Sequence, residues 1–107
     1  MINFDMWKTI DMRVGKVVDV EEIKDARNLI RLQVDFGAEH RQAVAGIAKW
    51  YRAEELKGKK FVFVLNLEPK KIFGYESNCM ILAAQDEKGN VVLIAPEKDV
   101  KEGSRIV

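Results

Sequence analysis

Asn66-Leu67-Glu68-Pro69-Lys70-Lys71-Ile72-Phe73-Gly74-Tyr75-Glu76-Ser77-Asn78-Cys79-Met80 lies between two nearly unbroken apolar runs, residues 61–65 and 80–84. Each run is about one strand long and reads as a buried strand. The stretch between them carries a proline, two lysines, a glycine and a serine–asparagine pair, and reads as a loop. Long loops that join buried strands in a compact domain usually carry function. Here the side chains are cations, aromatic rings and small hydrogen-bonding groups, a mixture suited to binding rather than catalysis.

Working outward, residues 29–36 give the cleanest pattern. Ile30, Leu32, Val34 and Phe36 alternate with Arg31, Gln33 and Asp35, which predicts a strand with one buried and one wet face. Residues 13–24 form a longer β-rich run, and Gly15 near its start suggests a bulge or bend. Residues 40–46 read as a short strand with Arg41, Ala43 and Ala45 on one side. Residues 47–57 have near-helical apolar spacing and predict a short helix, in which Trp50 and Tyr51 suit packing better than base stacking. Residues 80–85 and 91–95 complete the strands, joined by a turn at residues 86–90 whose Gly89-Asn90 supplies left-handed conformations. A short helix over residues 4–10, capped by Asn3 or Asp5, precedes all of this, and a last short strand follows a turn at Glu102-Gly103.

The sum is an all-β fold, a five-stranded OB-fold barrel with short helices and C-terminal extra strands, in which a long bent first strand joins both sheets. At 107 residues the chain is expected to form a single domain with one small core. No apolar run approaches the roughly 20 residues that span a bilayer, and no secretion signal opens the chain. A lone cysteine, Cys79, allows no internal disulfide and points to a cytoplasmic location. With one histidine beside it, no metal site or other cofactor is expected. Neither His40 nor Cys79 belongs to a nucleophile–base pattern, so no enzyme activity is expected.

Net charge is only +1, but residues 27–71 hold ten basic and five acidic side chains, while each flanking segment holds four basic and six acidic. If the central cations share a face they form a phosphate-attracting field; the same charges also suit an ordinary solvated surface. Arg31, Gln33 and Arg41 are placed on neighbouring outward positions of the second and third strands, the usual oligonucleotide platform of OB-folds. Lys70 and Lys71 follow Pro69, which limits backbone freedom and favours a presented pair. Ser77 and Asn78 suit phosphate or 2′-hydroxyl oxygens, and equally suit capping of a strand end, while Met80 offers a polarizable contact. The apolar outer faces of residues 61–65, 80–84 and 91–95 need cover. The terminal segments supply part, and a second copy of the chain is expected to supply the rest as a homodimer.

Asn66-Leu67-Glu68-Pro69-Lys70-Lys71, Gly74 and residues 76–84 resemble the closing signature of the tRNA-binding domain, found at the C-terminus of many methionyl-tRNA synthetases and as free-standing proteins. The resemblance takes in residues 10–17, 44–49 and 96–103, nearly the whole chain in order. It implies tRNA as partner, recognised at the folded elbow by shape rather than sequence, in aid of a methionyl-tRNA synthetase, with Ser77 and Met80 at the RNA contacts. It also implies a dimer. The chain departs from the family at Cys79, where glycine is usual, and at Asn28, where lysine is frequent; Asn28 is placed among the close contacts. The export chaperone CsaA shares the scaffold, so binding of unfolded polypeptides is the rival reading, and a pure dimerisation module is a third.

Overall fold

A computed structural model describes residues 1–107. Helix α1 (Phe4–Lys8) starts at Asn3, whose Oδ1 accepts the Met6 N–H at 2.9 Å, which settles the cap in favour of Asn3 over Asp5. Strand β1 (Met12–Glu22) is long because it serves two partners: its first half pairs with β4 (Lys60–Val64), its second with β2 (Ile30–Asp35). The irregularity that bends it falls between Val17 and Asp19, not at Gly15. Gly15 answers a different need: a Cβ there would sit 2.5 Å from Val34 Cγ1 and 2.6 Å from Phe36 Cε1. The glycine lets the second strand's core side chains close against the first strand's backbone.

Strand β3 (His40–Ala45) adds to β2, and β7 (Met80–Ile81) adds to β4, giving the antiparallel order β3-β2-β1-β4-β7. The outer strands meet where the Asn78 N–H donates to the Gln42 carbonyl at 2.8 Å, so the sheet is nearly closed. This is the expected five-stranded OB-like barrel. Ile30, Leu32, Val34 and Phe63 are fully buried inside it, with Phe36 set edge-on to Phe63 at 5.4 Å between ring centroids. The unbroken apolar run of β4 is explained by two covers. Phe61, Phe63 and Leu65 face the barrel interior, while Val62 and Val64 pack outward with Met12 under Trp7, Leu82 and Ile106.

Four further expectations need correction. The stretch over residues 66–79 is not a plain loop but folds a hairpin, β5 (Lys70–Ile72) against β6 (Tyr75–Ser77). Its turn has Phe73 at φ +50° and Gly74 at φ +85°, the left-handed pair of a tight two-residue turn. The strand expected over residues 80–85 divides at Leu82: β7 stays in the barrel, and β8 (Ala83–Gln85) leaves to pair with β9 (Val91–Leu93). Only four residues of the helix expected over residues 47–57 are helical, in α2 (Ala53–Leu56). Residues 47–51 form a turn instead, in which the Trp50 and Tyr51 N–H groups both donate to the Ile47 carbonyl. Tyr51 packs as expected, its hydroxyl accepting the Leu93 N–H at 3.0 Å. In the turn before β9, Gly89 alone takes positive φ; Asn90 instead donates its N–H to Asp86 Oδ1.

The C-terminal segment lies along the free edge of β1: Val14 N–H donates to Ser104 O, Gly103 N–H to Val14 O, and Ile106 N–H to Met12 O. Lys60 holds the segment from the side, with Asp99 at 2.9 Å and Glu102 at 3.3 Å. No helix is long and apolar enough to cross a membrane.

Candidate nucleic-acid interface

The hairpin β5–β6 leans on the end of β3 and leaves a groove of about 350 Å³ between itself, residues 44–47 and β7. Val44, Ile47, Cys79 and Ile81 form its buried floor, and Leu67, Lys70, Ser77, Asn78 and Met80 line its walls. Four of the expected site residues therefore meet in one place: Lys70, Ser77, Asn78 and Met80. Met80 is 46% exposed, on the face opposite its buried neighbours Cys79 and Ile81.

Hairpin register separates the two lysines. Lys70 stands opposite Ser77 and Lys71 opposite Glu76, and successive strand residues point to opposite faces. Lys70 therefore shares the groove face with Ser77 and Ile72, while Lys71 and Glu76 point away from it. The expected presented pair is a single lysine at the groove and a second on the outer surface. The ion pairs of the molecule involve neither.

Arg41 does not lie on the outward platform. The register sets Val34 opposite Arg41 and Gln33 opposite Gln42, and opposite residues of an antiparallel pair point the same way. Arg41 thus lies on the core side, at the barrel's end. Its Nη1 donates to the Leu65 carbonyl at 2.6 Å and to the Asn78 carbonyl at 3.1 Å, and its Nε is paired with Glu39. It fastens β3 to the ends of β4 and β7. The outward position belongs to Gln42, which sequence reasoning passed over. Gln42 Oε1 accepts from Gln33 Nε2 at 2.8 Å and Arg31 Nη1 at 3.3 Å, and its Nε2 donates to Glu76 O at 2.9 Å. Arg31 also donates to Glu21 at 3.0 Å. The polar groups on this sheet face are therefore bonded to one another.

Ser77 is the closing piece of the barrel. Its hydroxyl accepts the Val44 N–H at 3.0 Å and donates to the Cys79 carbonyl at 3.1 Å, replacing the ladder bonds that β3 lacks beyond Gln42. A hydroxyl has one proton, so Ser77 as placed offers an outside ligand only an acceptor. Asn28, at φ +67°, is equally committed: Nδ2 donates to the Gly46 carbonyl at 3.0 Å, and Oδ1 accepts the Lys49 N–H. It clamps the turn that follows β3. Cys79 is 5% exposed, and burial pushes its thiol up to about 12, so it stays neutral and unreactive at ordinary pH.

The central cations do not gather on one flank. Arg31, Arg41, Arg52 and Lys60 are held by carboxylates. Lys59 and Lys60 line a separate depression with Lys16, Lys98, Glu97 and Asp99. At the groove, Lys70 is the one lining cation.

A barrel of this topology, with a side groove walled by a cationic hairpin, defines an OB-fold binding domain. The chain belongs to the family described as "Putative tRNA binding domain", which matches residues 12–105. It is 54% identical over 106 residues to the methionine–tRNA ligase of Methanothrix thermoacetophila, and 46% identical over 105 residues to that of Methanocaldococcus jannaschii. The matches cover 99% and 98% of this chain but only 16% of each ligase. Among solved structures, a MetRS-related protein from Pyrococcus horikoshii superposes with a TM-score of 0.95 at 45% identity, covering 100% of this chain and 98% of that one. The chaperone CsaA from Bacillus anthracis superposes at 0.91 with 37% identity, covering 100% and 99%.

Proposed function

We propose that this domain binds tRNA through shape and backbone contacts, with little reading of sequence, as a helper of a methionyl-tRNA synthetase. The observation that carries the reading is the unpaired Lys70 standing over the groove beside Asn78 and Met80, in a chain of the tRNA-binding family. Lys70 supplies the phosphate attraction and Lys71 a second charge from the outer face. Asn78 and Met80 supply close contacts, and Ser77 holds the groove wall by closing the barrel beneath them. Asn28 and Arg41 act by holding the groove walls, and Arg31 contributes charge from the sheet face. Mutual bonding among Arg31, Gln33 and Gln42 leaves few groups free to read base edges, which supports backbone recognition. Tethering such a module to a synthetase raises the local tRNA concentration.

The β8–β9 hairpin supports a homodimer. Val92, opposite Ala84, is 60% exposed, and Ile94 just beyond it is 39% exposed, an apolar face with nothing from its own chain over it. Val92→Glu is expected to leave the fold intact and convert a dimer to a monomer in size-exclusion chromatography with light scattering.

A second reading, binding of unfolded polypeptide, is favoured by the apolar floor of the groove and by the likeness to CsaA. One titration separates the two: tRNA and an unfolded peptide, each added at low and high salt. Tight, salt-sensitive tRNA binding without peptide affinity selects the first. Peptide binding that survives high salt, with weak tRNA binding, selects the second.

A further inference from the structure

Phe73 breaks two rules at once. It is a bulky residue in the left-handed region, at φ +50°, where L side chains crowd their own backbone and where tight turns ordinarily use asparagine or glycine. Its ring is also 57% exposed at the hairpin apex, and it pairs with no other aromatic ring and no cation. The turn itself needs only Gly74 and a residue tolerant of positive φ. An asparagine at position 73 would relieve the strain and remove an apolar ring from water. Strain and exposure together, without a packing return, mark a position held for a partner.

The surroundings indicate which partner. Lys71 lies two residues back on one face of the hairpin and Lys70 three residues back on the other, roughly 7 and 10 Å along the strand. Neither is held in an ion pair, although Glu76 stands opposite Lys71 and Glu68 lines the groove with Lys70. A flat ring projecting beyond two lysines that no ion pair holds fits a base with its own flat face exposed and phosphates to either side. We propose that Phe73 is a stacking platform for an unpaired or stack-ending base of the bound RNA, a contact separate from the groove. It rests on the tRNA-binding reading and adds a hydrophobic contact to it.

The test compares the parent chain with Phe73→Asn and Phe73→Trp, using an unmodified tRNA transcript as probe. Phe73→Asn is expected to melt about 2–5 °C higher, because the backbone strain is relieved. It should bind the transcript roughly 5- to 150-fold more weakly, the range lost when a base loses its aromatic partner. The slope of log affinity against log salt should not change, since no charge is removed. Phe73→Trp should retain parental affinity. Parental affinity in Phe73→Asn overturns the inference and leaves tRNA binding standing. So does a slope that falls by about one unit, which would mean the change acted through lysine placement. Conversion of a dimer to a monomer by Phe73→Asn makes the ring a subunit contact and likewise overturns it. A parent chain that binds no tRNA overturns the functional reading as well.

Discussion

Ser77→Ala removes one oxygen atom and tests whether that oxygen closes the barrel or touches the ligand. In the folded chain the hydroxyl holds the Val44 N–H at 3.0 Å and the Cys79 carbonyl at 3.1 Å, both in a half-buried setting. Val44 is 7% exposed, so its amide has little access to water once the oxygen is gone. Leaving that donor unsatisfied costs about 1–3 kcal/mol, and the lost bond to Cys79 adds roughly 0.5–1.5 kcal/mol. The expected destabilisation is about 2–4 kcal/mol. For a domain of this size that lowers the melting temperature by roughly 8–16 °C. Ser77→Thr keeps the hydroxyl and should recover most of the loss. The assay is thermal unfolding by circular dichroism, paired with tRNA titration well below the transition. Ser77→Ala should bind tRNA within about twofold of the parent, because the bond it breaks is internal; each tenfold loss would correspond to about 1.4 kcal/mol of direct contact. A variant that melts within about 2 °C of the parent yet loses tRNA binding tenfold would refute the reasoning and return Ser77 to the ligand-contact set.

Hairpin register predicts unequal lysines. Lys70→Ala should reduce the salt slope of tRNA binding by about 0.7–0.9 and Lys71→Ala by less, with equal losses refuting the two-faced arrangement. Gly15→Ala places a methyl 2.5 Å from Val34 and should destabilise the fold by about 1–3 kcal/mol in chemical denaturation, with no direct effect on RNA binding. Acid should loosen the C-terminal segment. The hydrogen bond from Lys60 holds Asp99 below its ordinary 3.8, and a backbone N–H together with Lys60 holds Glu102 below 4.5. Carboxyls depressed in the folded state stabilise it above those ordinary values, and the stabilisation is lost as pH falls through the folded ones. Melting temperature should therefore drop below about pH 4.5, and more shallowly in Lys60→Met, where the partner is absent.

The barrel was legible because alternation and burial agree in β2, whose observed pattern strictly alternates, and because the apolar run of β4 had no reading other than a covered strand. Where side chains are small or the register carries the information, the sequence was silent. Arg41, Ala43 and Ala45 do share a face, but alanines fit inside or outside, and only pairing with β2 decides which. The hairpin was hidden because its strands are three residues long and its turn uses Phe73-Gly74 rather than the Asn-Gly signal. The helix was overextended because Ile47 and Tyr51 keep helical spacing within a turn that Asn28, about twenty residues away in the chain, holds by hydrogen bonds. At the candidate site, residue types pointed to the right region. Which polar groups the fold itself consumes, as with Ser77, Asn28 and Arg41, depends on three-dimensional partners that no local pattern encodes.

The run of hydrogen bonds between residues 103–106 and the start of β1 ties the order of synthesis to the order of assembly. Within this domain β1 is made before residues 103–106, so one flank stays open until they arrive, and an open flank is a template on which a neighbouring nascent chain can polymerise. Shielding of that flank during translation falls to whatever the young chain meets first.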